Sequence, residues 1–266
     1  SDGKGGTYTA RTVTLLATDG QSYTYQTTTN GMREGSLVRV TTSDQAGGVT
    51  LRGLSSASLS GRVNASGTKV GSYTFAEDAE ILDVSDGYGV RVYPSRLAGV
   101  SLSGASVRYY SLNGAGEIDR MVLEDVTGDM HQYGMLTNVT TIPTGGMSNY
   151  YSYELDVGGV SYALPQSTTK YPVERGPIRI KGDPDAPDGL YALQSAQTGE
   201  FIGNQFEGSG ERHTLSDDVV VYEYRNGTYY LSSLARVREG SFALTGWYDK
   251  SDSAGGRLRV IVARDG

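Results

Sequence analysis

The sequence predicts an all-β protein made of two tandem duplicated antiparallel β domains, and three observations lead there. Polar and apolar residues alternate in short runs: Val38 and Val40 would face one side of a strand, Leu37 and Arg39 the other. The composition suits strands and turns. Among 266 residues there are 37 Gly and 20 Tyr, with 37% hydrophobic and 20% charged residues; aromatic side chains fit a pleated surface and Gly supplies turn conformations. The second half also repeats the first, at a spacing of roughly 140 residues. Thr74-Phe75-Ala76-Glu77-Asp78-Ala79-Glu80-Ile81-Leu82 answers to Thr214-Leu215-Ser216-Asp217-Asp218-Val219-Val220-Val221-Tyr222, Leu97-Ala98 to Leu234-Ala235, and Tyr109-Tyr110 to Trp247-Tyr248. The run 116–123 answers to 256–263.

Taken in order, residues 12–16 and 23–25 form a hairpin about Asp19-Gly20, a favoured two-residue turn. Residues 35–40 and 48–54 form a second, linked by Asp44-Gln45-Ala46-Gly47-Gly48. Strands at 61–63, 73–75, 79–84, 107–110 and 117–123 follow, the last two joined by Asn113-Gly114-Ala115-Gly116. In the second half, 153–157 and 161–164 flank Gly158-Gly159, and 176–180 and 189–193 complete the group. Gly159, Tyr162 and Gly176 match Gly20, Tyr23 and Gly35. A further strand at 133–139 has its first-half counterpart expected before Ser1. Helix is confined to single turns at 94–98 and 232–236.

The expected domains are 1–129 and 130–266. Each holds an early and a late strand cluster, at 7–60 and 61–129 in the first and at 130–202 and 203–266 in the second. Short strands with Gly at bends favour small barrels, with sandwiches as the alternative. Domains of this size bury a core without disulfide or metal support.

A net charge of -7 disfavours binding to a phosphate backbone. No apolar run is long enough to cross a bilayer. Cysteine is absent, which excludes thiolate chemistry and Cys-based metal sites. Ser1-Asp2-Gly3-Lys4-Gly5-Gly6 reads as a linker.

Candidate sites are few. Asp183, Asp185 and Asp188 crowd one loop with two prolines, an oxygen-rich calcium candidate. The simpler reading is a rigid acidic turn, because no glutamate follows at the calcium-loop spacing, so no cofactor is expected. His131 and His213 lack a His or Cys partner at ligand spacing. Ser66 to Lys69 and Ser167 to Lys170 match the serine–lysine spacing but lie in turn-like sequence, where that mechanism needs a helix. Glu77/Asp78 and Asp217/Asp218 are adjacent, so strand geometry turns each pair to opposite faces and they cannot flank one glycosidic bond. Their recurrence suggests a shared turn or strand-start role. Trp247 and Tyr248 are the candidate ligand platform, for stacking on sugar rings; the competing role is cross-strand packing.

Residues 215–222, Tyr248-Asp249-Lys250 and 255–263 resemble the β-repeat regions of surface proteins of clostridia and relatives that carry S-layer homology domains, with echoes at 107–122. The resemblance implies an exported, cell-wall-associated segment of a Gram-positive bacterium, anchored elsewhere in a longer precursor and without catalytic residues. The expectation is a non-enzymatic structural or display segment, monomeric in isolation. Its partners would be wall polymer, host glycan or a neighbouring surface protein, with no nucleic acid and no membrane span. A carbohydrate-binding module is the alternative, and a glycan-acting hydrolase the more distant one.

Overall fold

The computed structural model describes residues 9–42 and 48–266. The linker expected at 1–6 and the link at 44–47 lie outside the described residues. The backbone is almost all strand, as the alternating pattern predicts. Its contacts divide the chain into Ser1–Val126 and Thr127–Gly266.

The first unit opens with β1 (Arg11–Leu16), β2 (Ser22–Thr27), β3 (Val38–Thr42) and β4 (Val49–Gly53). They form a sheet in the order β1-β2-β4-β3, in which β2 and β4 meet in parallel at Thr27 and Val49. Next come β5 (Gly61–Arg62), β6 (Lys69–Val70), β7 (Tyr73–Ser85) and β8 (Tyr88–Val92). A 3-10 turn at Pro94–Leu97 leads to β9 (Ser101–Leu102), β10 (Val107–Leu112) and β11 (Ile118–Glu124). The second sheet runs β10-β11-β7-β6, with β8 hairpinned onto β7, and β5 pairs β9. Ile81, Leu97, Ile118, Met121 and Leu123 fill its core. Buried Asp83 on β7 accepts the Val126 N–H at 3.1 Å.

The second unit begins with β12 (Gln132–Pro143), β13 (Asn149–Val157), β14 (Val160–Ala163), β15 (Gly176–Asp183) and β16 (Ala186–Ala192). They order as β14-β13-β12-β15-β16, with β12 antiparallel to both neighbours. The strand expected at 133–139 is therefore the centre of its sheet. Leu136 faces a core of Leu155, Ile178, Ile180 and Leu190, while Tyr133 and Met135 face Tyr222, Val260 and Val262. The period-2 alternation of a strand apolar on both faces serves two cores at once.

The remaining elements are β17 (Gln194–Ile202), β18 (Gln205–Gly208), β19 (Glu211–Arg225), β20 (Thr228–Leu231), helix α1 (Leu234–Glu239), β21 (Phe242–Tyr248) and β22 (Leu258–Asp265). β18 pairs both β17 and β19, which closes a ring β17-β21-β22-β19-β18. This is the small barrel favoured by short, Gly-marked strands, and it leaves those five strands no free edge. Phe206 is fully buried inside it. A Cβ on Gly246 would sit 2.8 Å from the Phe206 ring, so only Gly lets β21 approach this closely. β17 belongs to this barrel by its pairing, although the sequence groups 194–202 with the preceding cluster. Its polar run Gln194-Ser195-Ala196-Gln197-Thr198 lacks the apolar alternation that marks such a strand.

Part of the two later sheets runs alike: β10-β11-β7 and β21-β22-β19 follow the same order, whereas the ring through β17 and β18 has no counterpart in the first sheet as described, where β5 pairs β9. β7 meets β11 in parallel at Phe75–Ile118 and Glu80–Arg120, and β19 meets β22 in parallel at Leu215–Leu258 and Val220–Val260, with a register shift between the two pairs in each case. These are the residues the sequence aligns. Glu77/Asp78 and Asp217/Asp218 lie exposed within those shifts, inside a long strand, not at a turn. One alignment moves. Trp247 lies opposite Val260 as Ser111 lies opposite Arg120, so the ladder equates Trp247 with Ser111 and not with Tyr109. The reason is a longer link in the second unit, 249–257 against 113–117 in the first, which shifts the apparent match.

Candidate functional site

Trp247 and Tyr248 are neighbours on β21, and a strand turns successive side chains to opposite faces. Trp247 packs among Tyr133, Met135 and Tyr222, half-buried. Tyr248 packs on the barrel core and stacks on His213, centroids 3.9 Å apart and 20° from parallel. The two rings are not brought onto one flat surface. His213 is 2% exposed; its ring nitrogens make no hydrogen bond, with Nε2 3.6 Å from Glu211 Oε2, and the ring packs face to face on Tyr248.

Asp183, Asp185 and Asp188 flank the β15–β16 hairpin, with Asp183 paired to Ala186 across it. All three are exposed. Asp183 Oδ1 accepts the Asp185 N–H at 3.0 Å, a local turn bond. Among the described residues no group of three or more His, Asp or Glu side chains is placed to hold a metal ion.

The most concentrated chemistry lies elsewhere, around Arg259 on β22. Arg259 is 3% exposed. Its Nε donates to Asp249 Oδ2 at 3.0 Å, and its Nη2 donates to the Thr127 carbonyl at 2.5 Å and to Asp129 Oδ1 at 3.0 Å. Nη1 reaches Ser216 Oγ at 3.3 Å. The guanidinium lies over the Tyr133 ring, 4.4 Å from its centroid. Tyr133 Oη donates toward the Gly128 carbonyl at 2.7 Å and Asp249 Oδ2 at 3.2 Å. Asp249 Oδ1 takes the N–H groups of Lys250 and Arg257, each at 2.8 Å. Both oxygens of Asp249 are thus occupied by donors from its own unit.

Electrostatics follow from this packing. Burial weakens the charge of Arg259, but Asp249, Tyr133 and Asp129 outweigh it and hold its pKa above the usual arginine value. Burial likewise pushes the Tyr133 hydroxyl far above the usual tyrosine value. Tyr222 is raised in the same way, chiefly by burial and then by Asp156, whose Oδ1 accepts its hydroxyl at 2.9 Å. A second node joins Glu223 to Arg236 of α1: Nε to Oε2 is 2.6 Å, and Ser232 Oγ donates to the same oxygen at 2.7 Å. The Arg236 hydrogen bond, with help from Ser232, lowers the Glu223 pKa.

A general acid or base needs a proton site open to substrate, and a nucleophile needs a base beside it. The Arg259 node instead spends its donors on its own backbone and carboxylates. It ties the segment 127–133 to β19, β22 and the link after β21, as a clamp does. Sequence reasoning missed it. The available signal was Arg259 inside Leu258-Arg259-Val260-Ile261-Val262, a cation within a run buried along its length. Its acidic partner Asp129 lies 130 residues away, beyond any motif.

Comparison with known protein families, curated proteins and solved structures finds no match to this chain. Among the described residues no helix is long and apolar enough to cross a membrane.

Proposed function

We propose that this chain is a non-enzymatic structural or display segment of a bacterial surface protein, carried on the cell wall, and that it arose by duplication of one β unit. The observation that carries this reading is the saturation of Asp249 by the Lys250 and Arg257 N–H groups, Arg259 and Tyr133. The most buried charge cluster of the second unit is thereby committed to holding the framework. The common register of the β7–β11 and β19–β22 pairs supports a repeated spacer unit. The absence of cysteine fits an exported Gram-positive protein, and the likeness of 215–222 and 255–263 to β-repeat regions of S-layer homology proteins supports the same place.

Antibody raised against the chain should label intact, unpermeabilised cells of the source bacterium. The purified chain should leave wall polysaccharide and peptidoglycan chemically unchanged on long incubation. Labelling only after lysis, or release of reducing sugar or peptide, would refute the proposal.

A further inference from the structure

In the second unit, the core that joins β12 to β19 and β22 ends in two tyrosines and two arginines. Strand alternation carries this core outward: Tyr224 follows Tyr222 on one face of β19, and Arg264 follows Val260 and Val262 on one face of β22. Tyr229 of β20 pairs with Tyr224 across the hairpin, their ring centroids 4.7 Å apart. Both rings are half-buried against the core. Arg264 is exposed and lies over Tyr224, 4.2 Å from its centroid. Arg175, in the link between β14 and β15, is also exposed and lies 5.2 Å from the Tyr229 centroid and 5.9 Å from that of Tyr224.

The two cations are held in place but not neutralised. Arg175 Nε donates to the Thr137 carbonyl of β12 at 2.7 Å, and its Nη2 donates to the Gly227 carbonyl in the β19–β20 turn. Its Nη1 remains uncommitted, as does the whole donor fork of Arg264 among the described residues. The hydroxyls of Tyr224 and Tyr229 make no hydrogen bond to the described residues either. Arg212, Arg236 and Arg259 of the same unit each pair with a carboxylate. Among the described residues Arg175 and Arg264 have none, although Glu174 and Asp265 adjoin them in sequence. Burial raises the Tyr229 pKa, and Arg175 and Arg264 each pull against it, so both charges stand near its hydroxyl. Two cations gathered on one pair of rings repel each other, and an anion between them would relieve that cost.

We propose that Arg175, Arg264 and the hydroxyls of Tyr224 and Tyr229 bind a carboxylate-bearing sugar, a uronate residue of an acidic glycan. The planar donor fork of Arg264 matches a carboxylate, and Nη1 of Arg175 adds a second charge-assisted donor. The two phenolic hydroxyls both donate and accept, which suits the hydroxyls of a sugar ring. A single carboxylate on a sugar also suits a chain of net charge -7, which repels the dense charge of a phosphate backbone. The inference stands on side-chain geometry and holds whether or not the chain is carried on a cell wall.

Trigalacturonate supplies the probe, titrated into the full chain at low salt by calorimetry. Its methyl ester, neutral and of the same ring skeleton, is the control. Binding of the acid is expected with Kd on the order of 1 mM or below, and of the ester about tenfold weaker or worse. Arg264→Gln should weaken binding of the acid by about tenfold, and Tyr229→Phe, which keeps the ring, by about threefold. Arg225→Gln should leave it unchanged, because Arg225 is turned to the opposite face of β19, over Tyr230. No binding at tens of millimolar to a chain with all-β circular dichroism would overturn the proposal and leave the two arginines as packing for the end of the core. Equal binding of the methyl ester would overturn it, as would equal affinity for acetate or inorganic phosphate, since the sugar would then contribute nothing. So would unchanged binding in both Arg264→Gln and Tyr229→Phe.

Discussion

Replacing Arg259 by Met tests the clamp directly. Met keeps much of the apolar stem and deletes the guanidinium. Arg259 and Asp249 have side chains only 3% and 7% exposed, so water cannot replace what is lost. Breaking a buried ion pair from one side costs about 3–5 kcal/mol, because the remaining charge is stranded. Here Asp249 still accepts from two backbone N–H groups and from Tyr133, which places the expected loss near the lower figure, about 3 kcal/mol. Urea denaturation followed by Trp247, the single Trp of the chain, reports on this region. With m at about 2–3 kcal/mol/M, the midpoint of the second unit should fall by about 1 M at unchanged m. Adding Asp249→Asn to Arg259→Met should recover about 1 kcal/mol, since the stranded charge is removed and the side-chain oxygen still accepts the Lys250 and Arg257 N–H groups. A loss under about 1 kcal/mol for Arg259→Met, or strict additivity in the double variant, would refute the clamp.

Gly128 and Gly116 make a matched comparison: both have positive φ, +70° and +77°, but a Cβ on Gly128 would stand 2.7 Å from Asp249 Oδ2 while one on Gly116 meets open space. Gly116→Ala should cost about 1 kcal/mol in urea denaturation, and Gly128→Ala about 2 kcal/mol more through the disturbed clamp. At alkaline pH, Tyr133 and Tyr222 are raised groups, so their stabilisation is complete below the ordinary tyrosine value and is lost as pH rises toward their folded values. Stability should fall by about 1.4 kcal/mol per pH unit per tyrosine above pH ~10. Phenolate absorbance should show both ionising only with unfolding, and the double Phe variant should flatten that limb. At acid pH the sign reverses for Glu223: its pKa is lowered, so its contribution is present above the ordinary carboxylate range and is lost as pH falls through its folded value. Arg236→Met should remove this acid dependence from thermal melts taken between neutral and acid pH.

Much of the fold was legible because β structure writes itself in short range. Alternation at 37–40 and 118–123, and Gly at the hairpin bends, place strands without tertiary knowledge. The aligned runs 74–82 and 214–222 occupy the same register against β11 and β22. Strand β17 was less legible, because a strand that packs through Ala196 and Gly199 against Phe206 has no apolar alternation to show.

The candidate site was hardly legible at all. Asp183, Asp185 and Asp188 are close in sequence yet exposed about a hairpin, whereas Asp129, Asp249 and Arg259 are far apart in sequence yet in contact. Sequence proximity selects turns, and contact is made by folding.

What the sequence by itself determined is the strand content and the turn positions, since each depends on neighbours a few residues away. Only the tertiary structure decided that β18 closes a barrel, that β12 lies between two cores, and that Arg259 is a clamp. Those outcomes depend on which distant backbones come within hydrogen-bond reach. No local pattern records that, because strand pairing is chosen by the burial of whole faces and not by any one residue.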